Sequence, residues 1–546
     1  MLWKTVLIFL ASSSLVTAQF NKVTAAEAWK AMEPGWNIGN TMDGVPDETS
    51  WGNPLITTQL LDAIRATGMK SVRIPITWTD HFISQAPDYT VNATWMARVE
   101  QVVDWALDRG FWVDINVHHD SWQWANLSDD TDLDAKFAKL EKLWTQIADR
   151  FKNKSEKLIF EPLNEPQGST QVHADRYNDL NQRVVNIVRA SGGYNKDRLM
   201  TLPGLNTNIA NTVNWFKVPT NADPWILHVH DYDPWDFVST SWGRTFWGTD
   251  ADKKVIEDTF VNLQSRFNAP ALIGEWGTTG KSVERGAAWI YFDNFIRTSR
   301  SYNLTAQLWD NGEHFNRISL KWNDPVKRDL IISAASGIVN TLPAYDQTAT
   351  IYQKINQTVT AKNINLVLNG NTITAITNTA GKTLKKGTDY TITSSGVTIS
   401  AAYLSTVLKG TIGLKDTIKI KSNRGVSLPF DLVLYSTPTV SSSSITITDS
   451  SSDYTIPVNV GGSTLATVKA VKADGTYLKD DWTSSLGTLQ QGRINWGDFD
   501  TTSDGKGVIL KAALLATMKG VGKVTLTLEY WPRTEGNNVT VGVTVN

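Results

Sequence analysis

The chain has 546 residues, with 52 lysines and arginines against 54 aspartates and glutamates, for a formal charge of −2. That balance excludes a basic nucleic-acid surface and an acidic disordered tail. The absence of cysteine excludes disulfide frameworks, thiolate metal sites and cysteine nucleophiles. With 41% hydrophobic and 19% charged residues the chain can bury cores. At roughly 100–200 residues per domain it has room for three or four domains, or one large barrel with small modules. Tryptophan is abundant and unevenly spread: 20 of the 23 fall between Trp3 and Trp322, none between 323 and 481, and three follow, at Trp482, Trp496 and Trp531.

Residues 1–18, MLWKTVLIFLASSSLVTA, carry one lysine, an apolar run and a small-residue exit, the pattern of a secretory leader. The run is too short to span a bilayer comfortably. Sequons at Asn92, Asn126, Asn153, Asn303, Asn356 and Asn538 are compatible with export. We expect a secreted, extracellular protein.

From about 20 to 345, apolar runs alternate with helical periodicity. Predicted strands are Gly35–Asn40, Ser71–Thr77, Trp112–His118, Leu158–Glu165, Leu199–Gly204, Trp225–Tyr232, Ala271–Gly277 and Thr305–Gly312. Predicted helices are Thr57–Thr67, Asn92–Arg109, Leu133–Phe151, Gln171–Arg189, Lys253–Phe267 and Val283–Arg300. Strands alternating with helices argue for parallel βαβ units, and eight of them fit a (β/α)8 TIM barrel over 19–345. A doubly wound sheet is the alternative, but no glycine-rich phosphate fingerprint follows the first strand. From 350 to 437 the helices stop, and short Thr/Val/Ile segments alternate with Gly, Asn and Asp turns, a β-sandwich composition. After the serine cluster near 440, a second β-rich module runs to 546. No internal sequence repeat is apparent.

In a TIM barrel the reacting groups project from the C-terminal ends of the strands. The fourth strand runs into EPLNEP and the seventh into IGEWG, which puts Glu165 and Glu275 on non-adjacent strands facing one cleft. Paired carboxylates are what glycoside hydrolysis needs, one to protonate the leaving oxygen and one to attack or stabilise the sugar cation. Arg73, inside SVRIPITW, needs a carboxylate partner if buried and would hold a nucleophilic carboxylate ionised. Asn164, His118, His119 and Asp120 sit at strand ends, and His228, His230 and Tyr232 alternate along the sixth strand and so share a face. A rival reading is a metal site from His118, His228, His230 and a carboxylate. Tryptophans 36, 51, 78, 122, 124, 235, 242, 247 and 309 lie at or beyond strand ends, where flat rings suit the apolar faces of sugars. We expect three or four of these nine to reach ligand. The last three tryptophans are either an aromatic binding patch or the core of the final module.

The segments GWNIGNTMD, WGNP, RIPITW, NVHHD, EPLNEP, HDYDPW, IGEWG and LWDNG, in this order, resemble glycoside hydrolase family 5, and within it subfamily 4, endo-acting β-1,4-glucanases and xyloglucanases. The resemblance covers about 20–345 and implies a retaining double displacement with no cofactor and no metal. It implies that Glu165 is the acid/base, kept protonated by its neighbours, and Glu275 the nucleophile. Arg73, His118, Asn164, His230 and Tyr232 are implied as active-site partners. Trp309 is implied at the cleaved sugar, with Asn40, Asp43, Trp51 and His119 on the non-reducing side. Trp276 departs from the phenylalanine frequent in relatives, and His228 is an extra histidine to which the resemblance assigns no role. The middle stretch resembles an immunoglobulin-like module. The last, with DDW, NWGDFD and LEYWP, resembles carbohydrate-binding module family 46, with Trp482, Trp496 and Trp531 as candidate sugar contacts. The expected partner is a β-glucan polysaccharide, met by a monomer with no nucleic-acid or membrane role. A β-mannanase or another β-glycanase on the same barrel, or a non-catalytic wall-binding protein, are the alternatives.

Overall fold

The computed structural model describes residues 20–279, 283–479 and 486–546; the predicted leader 1–18 and Trp482 lie outside these. Eight parallel strands close a barrel in chain order: β1 Gly35–Asn37, β2 Ser71–Ile74, β3 Trp112–Asn116, β4 Leu158–Glu161, β5 Met200–Asn208, β6 Trp225–His230, β7 Ala271–Trp276 and β8 Leu304–Leu308. Each coincides with a predicted strand. Their near-continuous apolar runs arise because strands of a helix-wrapped barrel are buried on both faces, as β3, β4 and β7 are along their whole length.

The predicted helices recur between the strands, most of them started by a side chain that accepts a free first-turn N–H. Thr57, Asn92, Thr170, Thr249 and Glu284 each do this, for helices beginning at Thr58, Ala93, Gln171, Asp250 and Arg285. A further helix, Pro325–Ala335, closes the barrel with Asp324 as its cap and proline in its first turn. Its weakly periodic sequence hides it from a reading by hydrophobic pattern.

Most strands end earlier than predicted. The residues beyond β2, β3, β4 and β7 leave the ladder and bend over the barrel mouth. Glu165 is therefore four positions past β4, in a loop where its φ of 40° lies in the left-handed region. A non-glycine residue held there costs energy that the surroundings must repay, a frequent mark of a functional site.

Two β-sandwiches follow. The first pairs Leu342–Pro343 with Lys362–Val367, so the chain enters it inside the predicted 19–345 barrel range. The second begins at Thr439–Val440. The two have the same topology. With strands numbered within each module, one sheet runs 1-3-6-5 and the other 2-8-7-4, strands 2 and 8 are parallel, and a short helix joins strands 6 and 7. The modules are thus a structural repeat, contrary to the sequence reading. Its trace is local: GVTISAAYLSTV from Gly396 and GVILKAALLATM from Gly507 share six of twelve residues, spanning strand 6 and the helix. Elsewhere the sheets require only alternation, which many sequences satisfy.

All three modules touch. Arg285 pairs with Asp431 at 2.6 Å, and the Glu284 carboxylate accepts the Ala349 N–H at 2.7 Å, joining the barrel to the first sandwich. The second sandwich docks on the segment after β6. Arg533 donates to the Gly243 carbonyl at 2.9 Å, and the Trp242 N–H donates to Asn495 at 2.7 Å.

Candidate active site

Arg73 on β2 organises the barrel mouth. Its guanidinium is wholly buried and donates to Glu161 (2.7 and 2.9 Å), Glu275 (2.7 Å), Asn164 (2.7 Å) and Asn37 (3.1 Å). Burial opposes its charge, but the carboxylates of Glu161 and Glu275 more than offset that and raise its pKa. The expected buried pairing is present, yet the sequence reading missed its main partner. Glu161 is fully buried at the end of β4; burial pushes its carboxyl up, while Arg73 and His228 bring it down to about 2. The signal was in the sequence, since EPLNEP holds two glutamates and only the outer one was chosen.

Glu275, on β7, meets three groups. Its Oε1 accepts from Arg73, its Oε2 accepts the Tyr232 hydroxyl at 3.0 Å, and His230 Nδ1 stands 3.6 Å from Oε2. Burial and the charges of Glu275 and Glu165 raise the Tyr232 phenol well above its usual range, so it stays a donor. Glu165 meets His230 Nδ1 at 3.0 Å through Oε1. One oxygen of Glu165, one of Glu275 and one His230 nitrogen all lie within 4.8 Å of one another. The two predicted carboxylates therefore share one gap.

The expectation that neighbours keep Glu165 protonated is corrected. Burial raises its carboxyl, but the hydrogen bond from His230, with Arg73 and His119 nearby, outweighs burial and lowers it. The rival metal set is also dispersed: His118 clusters with Asp43 and His119, His228 with Asp114 and Glu161, and His230 with the two glutamates. The fixed cation between Glu161 and Glu275 is the guanidinium of Arg73.

Asn164 is buried with its amide oxygen held by Arg73, which leaves its NH2 to donate. His118 Nδ1 accepts from the Asn116 side-chain NH2 at 3.0 Å, and burial lowers its pKa well below the usual value, so it is neutral. Its ring lies parallel to half-buried Trp309, 5.9 Å away. Trp309 in turn lies against Gly39, where a Cβ would come within 2.7 Å of the indole. That contact explains the second glycine in GWNIGN.

Around β1 and β3, His119 stacks on Trp122 at 3.9 Å and lies 5.0 Å from Trp51. Trp51 and Trp122 are 39% and 52% exposed, leaving ring surface for a ligand. Asn40 is half-buried beside them, in a left-handed turn with φ 53°. Asp43 is corrected as a sugar contact. It is fully buried, and its carboxylate accepts the N–H groups of Asn40 and Thr41 at 2.9 and 2.7 Å, so it holds the turn that presents Asn40.

Across the mouth, a cavity of about 540 Å³ beside Glu165 is lined by His230, Tyr232, Asn206, Asn208 and Trp235. Trp235 is 57% exposed. Of the nine tryptophans weighed from sequence, Trp36, Trp78 and Trp247 are fully buried core. Trp51, Trp122 and Trp235 are exposed, and Trp309 is half-buried among the site residues.

Of the candidate C-terminal patch, the structure describes two of the three tryptophans. Trp531 is only 7% exposed and packs edge-on against Phe246 of the barrel at 5.7 Å, so it fills a module interface. Trp496 is half-buried and packs on Phe499 at 4.4 Å, against the core of its own sandwich. Trp482 lies outside the described residues.

Residues 35–315 match the model of the cellulase family, glycosyl hydrolase family 5, and residues 345–431 match carbohydrate binding domain X2. Endoglucanase B of Paenibacillus lautus is 37% identical over 533 residues, covering 92% of this chain and 89% of that protein. A tri-modular family 5, subfamily 4 endo-β-1,4-glucanase from Bacillus licheniformis, solved with cellotetraose, superposes with a TM-score of 0.88 at 37% identity, covering 96% of this chain and all of that one. The tri-modular endo-β-1,4-glucanase B of Bacillus halodurans superposes at 0.83 with 30% identity, over 96% and 100% of the two chains. With two carboxylates meeting across its mouth and this match along nearly its whole length, the chain belongs to glycosyl hydrolase family 5, the cellulase family.

Proposed function

We propose that the protein is a secreted retaining endo-β-1,4-glucanase, with Glu165 as acid/base and Glu275 as nucleophile. The carrying observation is the meeting of these two carboxylates, with oxygens within 4.8 Å of each other and of a His230 nitrogen. Retaining glycosidases hold their carboxyl groups about 5–5.5 Å apart, whereas inverting enzymes need about 6.5–9.5 Å to admit a water. Relatives named as endoglucanases, and the cellotetraose in the B. licheniformis enzyme, support a β-1,4-glucan as substrate.

A glucan chain would lie from the Trp51–Trp122 side to the Trp235 side, its ring faces on indoles. Glu165 gives its proton to the glycosidic oxygen as Glu275 attacks the anomeric carbon. Arg73 and Tyr232 hold Glu275 in place through both its oxygens. Glu165, now a carboxylate, takes a proton from water, which releases the sugar with its configuration retained. Asn164 donates to the sugar through its free NH2. The leader-like residues 1–18 support export, and no helix among the described residues is long and apolar enough to cross a membrane.

The test is release of reducing ends from carboxymethylcellulose, with mixed-linkage glucan, xyloglucan and mannan in parallel. Glu165→Gln and Glu275→Gln should each remove at least about 100-fold of the activity on the preferred glucan while keeping the wild-type melting profile. A variant that keeps near-normal turnover ends the assignment.

A further inference from the structure

His228 is a buried histidine on β6 with no part in the chemistry above. Its Nε2 lies 3.2 Å from His230 Nε2, and His230 Nδ1 lies 3.0 Å from Glu165 Oε1. The same His228 Nε2 stands 3.8 Å from Glu161 Oε1. The backbone makes room for this ring: a Cβ on Gly274, the residue before Glu275, would come within 2.1 Å of His228 Nε2. We propose that His228 is a positioning residue that locks His230 in the tautomer carrying its proton on Nδ1, and thereby fixes which oxygen of Glu165 carries the catalytic proton. The inference rests on the acid/base reading of Glu165 and deepens it.

Two imidazole nitrogens 3.2 Å apart share one proton, so one ring must donate and the other accept. The surroundings decide which. His228 is fully buried; burial lowers its pKa to about 3, so the ring is neutral and carries one proton. The Glu161 carboxylate beside Nε2 draws that proton to Nε2. The alternative would put it on Nδ1, which is buried without a hydrogen-bond partner among the described residues, and an unpaired buried N–H is costly. His228 therefore donates to His230 Nε2. With its Nε2 accepting from His228, the proton of His230 sits on Nδ1, aimed at Glu165 Oε1. When Glu165 is an acid, Oε1 accepts from His230 and the acidic proton sits on Oε2. When Glu165 is a base, the same N–H supports the carboxylate. The reversed chain would place the Glu165 proton on Oε1, locked to His230 and withheld from the leaving oxygen. The charged and titratable groups facing this chain are Arg73 from β2, Asp114 from β3, Glu161 from β4, Glu275 from β7, and His118, His119 and Tyr232 around the mouth.

The direct readout is the tautomer of His230 in the full-length enzyme, from 15N-labelled histidine by long-range 1H–15N correlation; seven histidines keep the spectrum assignable, with the His228 and His230 variants identifying the two signals. The lock predicts a protonated Nδ1 and a bare Nε2 on His230. The opposite pattern in the wild-type enzyme overturns it. His228→Leu removes the donor, and His228→Gln returns an N–H near the Nε2 position. We expect the leucine variant to lose about tenfold in kcat on unactivated glucan but less than threefold on an aryl cellobioside whose leaving group needs no proton, with glutamine restoring most of the difference. An equal loss on both substrates, unrepaired by glutamine, would mean a packing role only and would overturn the proposal. Failure of Glu165 itself as acid/base would show separately, as a Glu165→Gln variant active on unactivated glucan.

Discussion

Arg73 and Glu161 meet through two parallel hydrogen bonds, Nε to Oε2 at 2.7 Å and Nη2 to Oε1 at 2.9 Å, both partners fully buried. This fork leaves Nη1 free to reach Glu275 and fixes where the proposed nucleophile sits. A lysine has one ammonium and cannot reproduce the fork. Arg73→Lys should therefore strand part of the carboxylate charge, costing about 3–5 kcal/mol of stability, and should lower kcat at least about 100-fold. Thermal denaturation and steady-state kinetics check both. A variant that melts normally and turns over normally removes Arg73 from the site.

The pH profile follows from Glu165. His230, Arg73 and His119 hold its carboxyl below the ordinary value despite burial. The first step needs the protonated form, which is lost as pH rises through a lowered pKa. The alkaline limb of kcat/KM on unactivated glucan should thus fall on the acid side of neutrality. Because Glu165 and Glu275 interact, the limb reports the pair. His230→Asn removes the ring that lowers Glu165 and should move the alkaline limb upward. A limb that moves downward or stays put contradicts this electrostatic account.

Exposure separates two kinds of tryptophan. Trp51→Ala and Trp122→Ala remove accessible rings and should raise KM for soluble β-glucan about tenfold each, with the melting temperature little changed. Trp531→Ala removes a buried ring between the final sandwich and Phe246 and should instead lower the melting temperature by several degrees. The reverse pattern would return Trp531 to the binding surface.

The barrel was legible because each strand is a buried apolar run and each helix a periodic one, separated by capping residues. The paired glutamates were legible because barrel chemistry concentrates at strand ends. What stayed hidden is physical. Glu161 and Glu165 belong to the same motif, and only the three-dimensional turn shows that one points at Arg73 and the other at His230. His228 reads as a face-sharing histidine, but its closeness to both His230 and Glu161 is a tertiary fact. Asp43 reads as a cleft residue, and its burial beneath the Asn40 turn is a tertiary fact. The sandwich repeat escaped because a pleated sheet tolerates many alternating sequences, so the common topology left a trace only where strand 6 runs into the helix.

The central claim is a covalent intermediate on Glu275, opposite Glu165. It is tested most directly by incubating the enzyme with a 2-deoxy-2-fluoro-cellobioside bearing a good leaving group and mapping the product by peptide mass spectrometry. The account predicts one glycosyl adduct, on the peptide containing Glu275 and at that side chain. An unlabelled Glu275, together with an α-configured first product from a natural β-glucan, would contradict it.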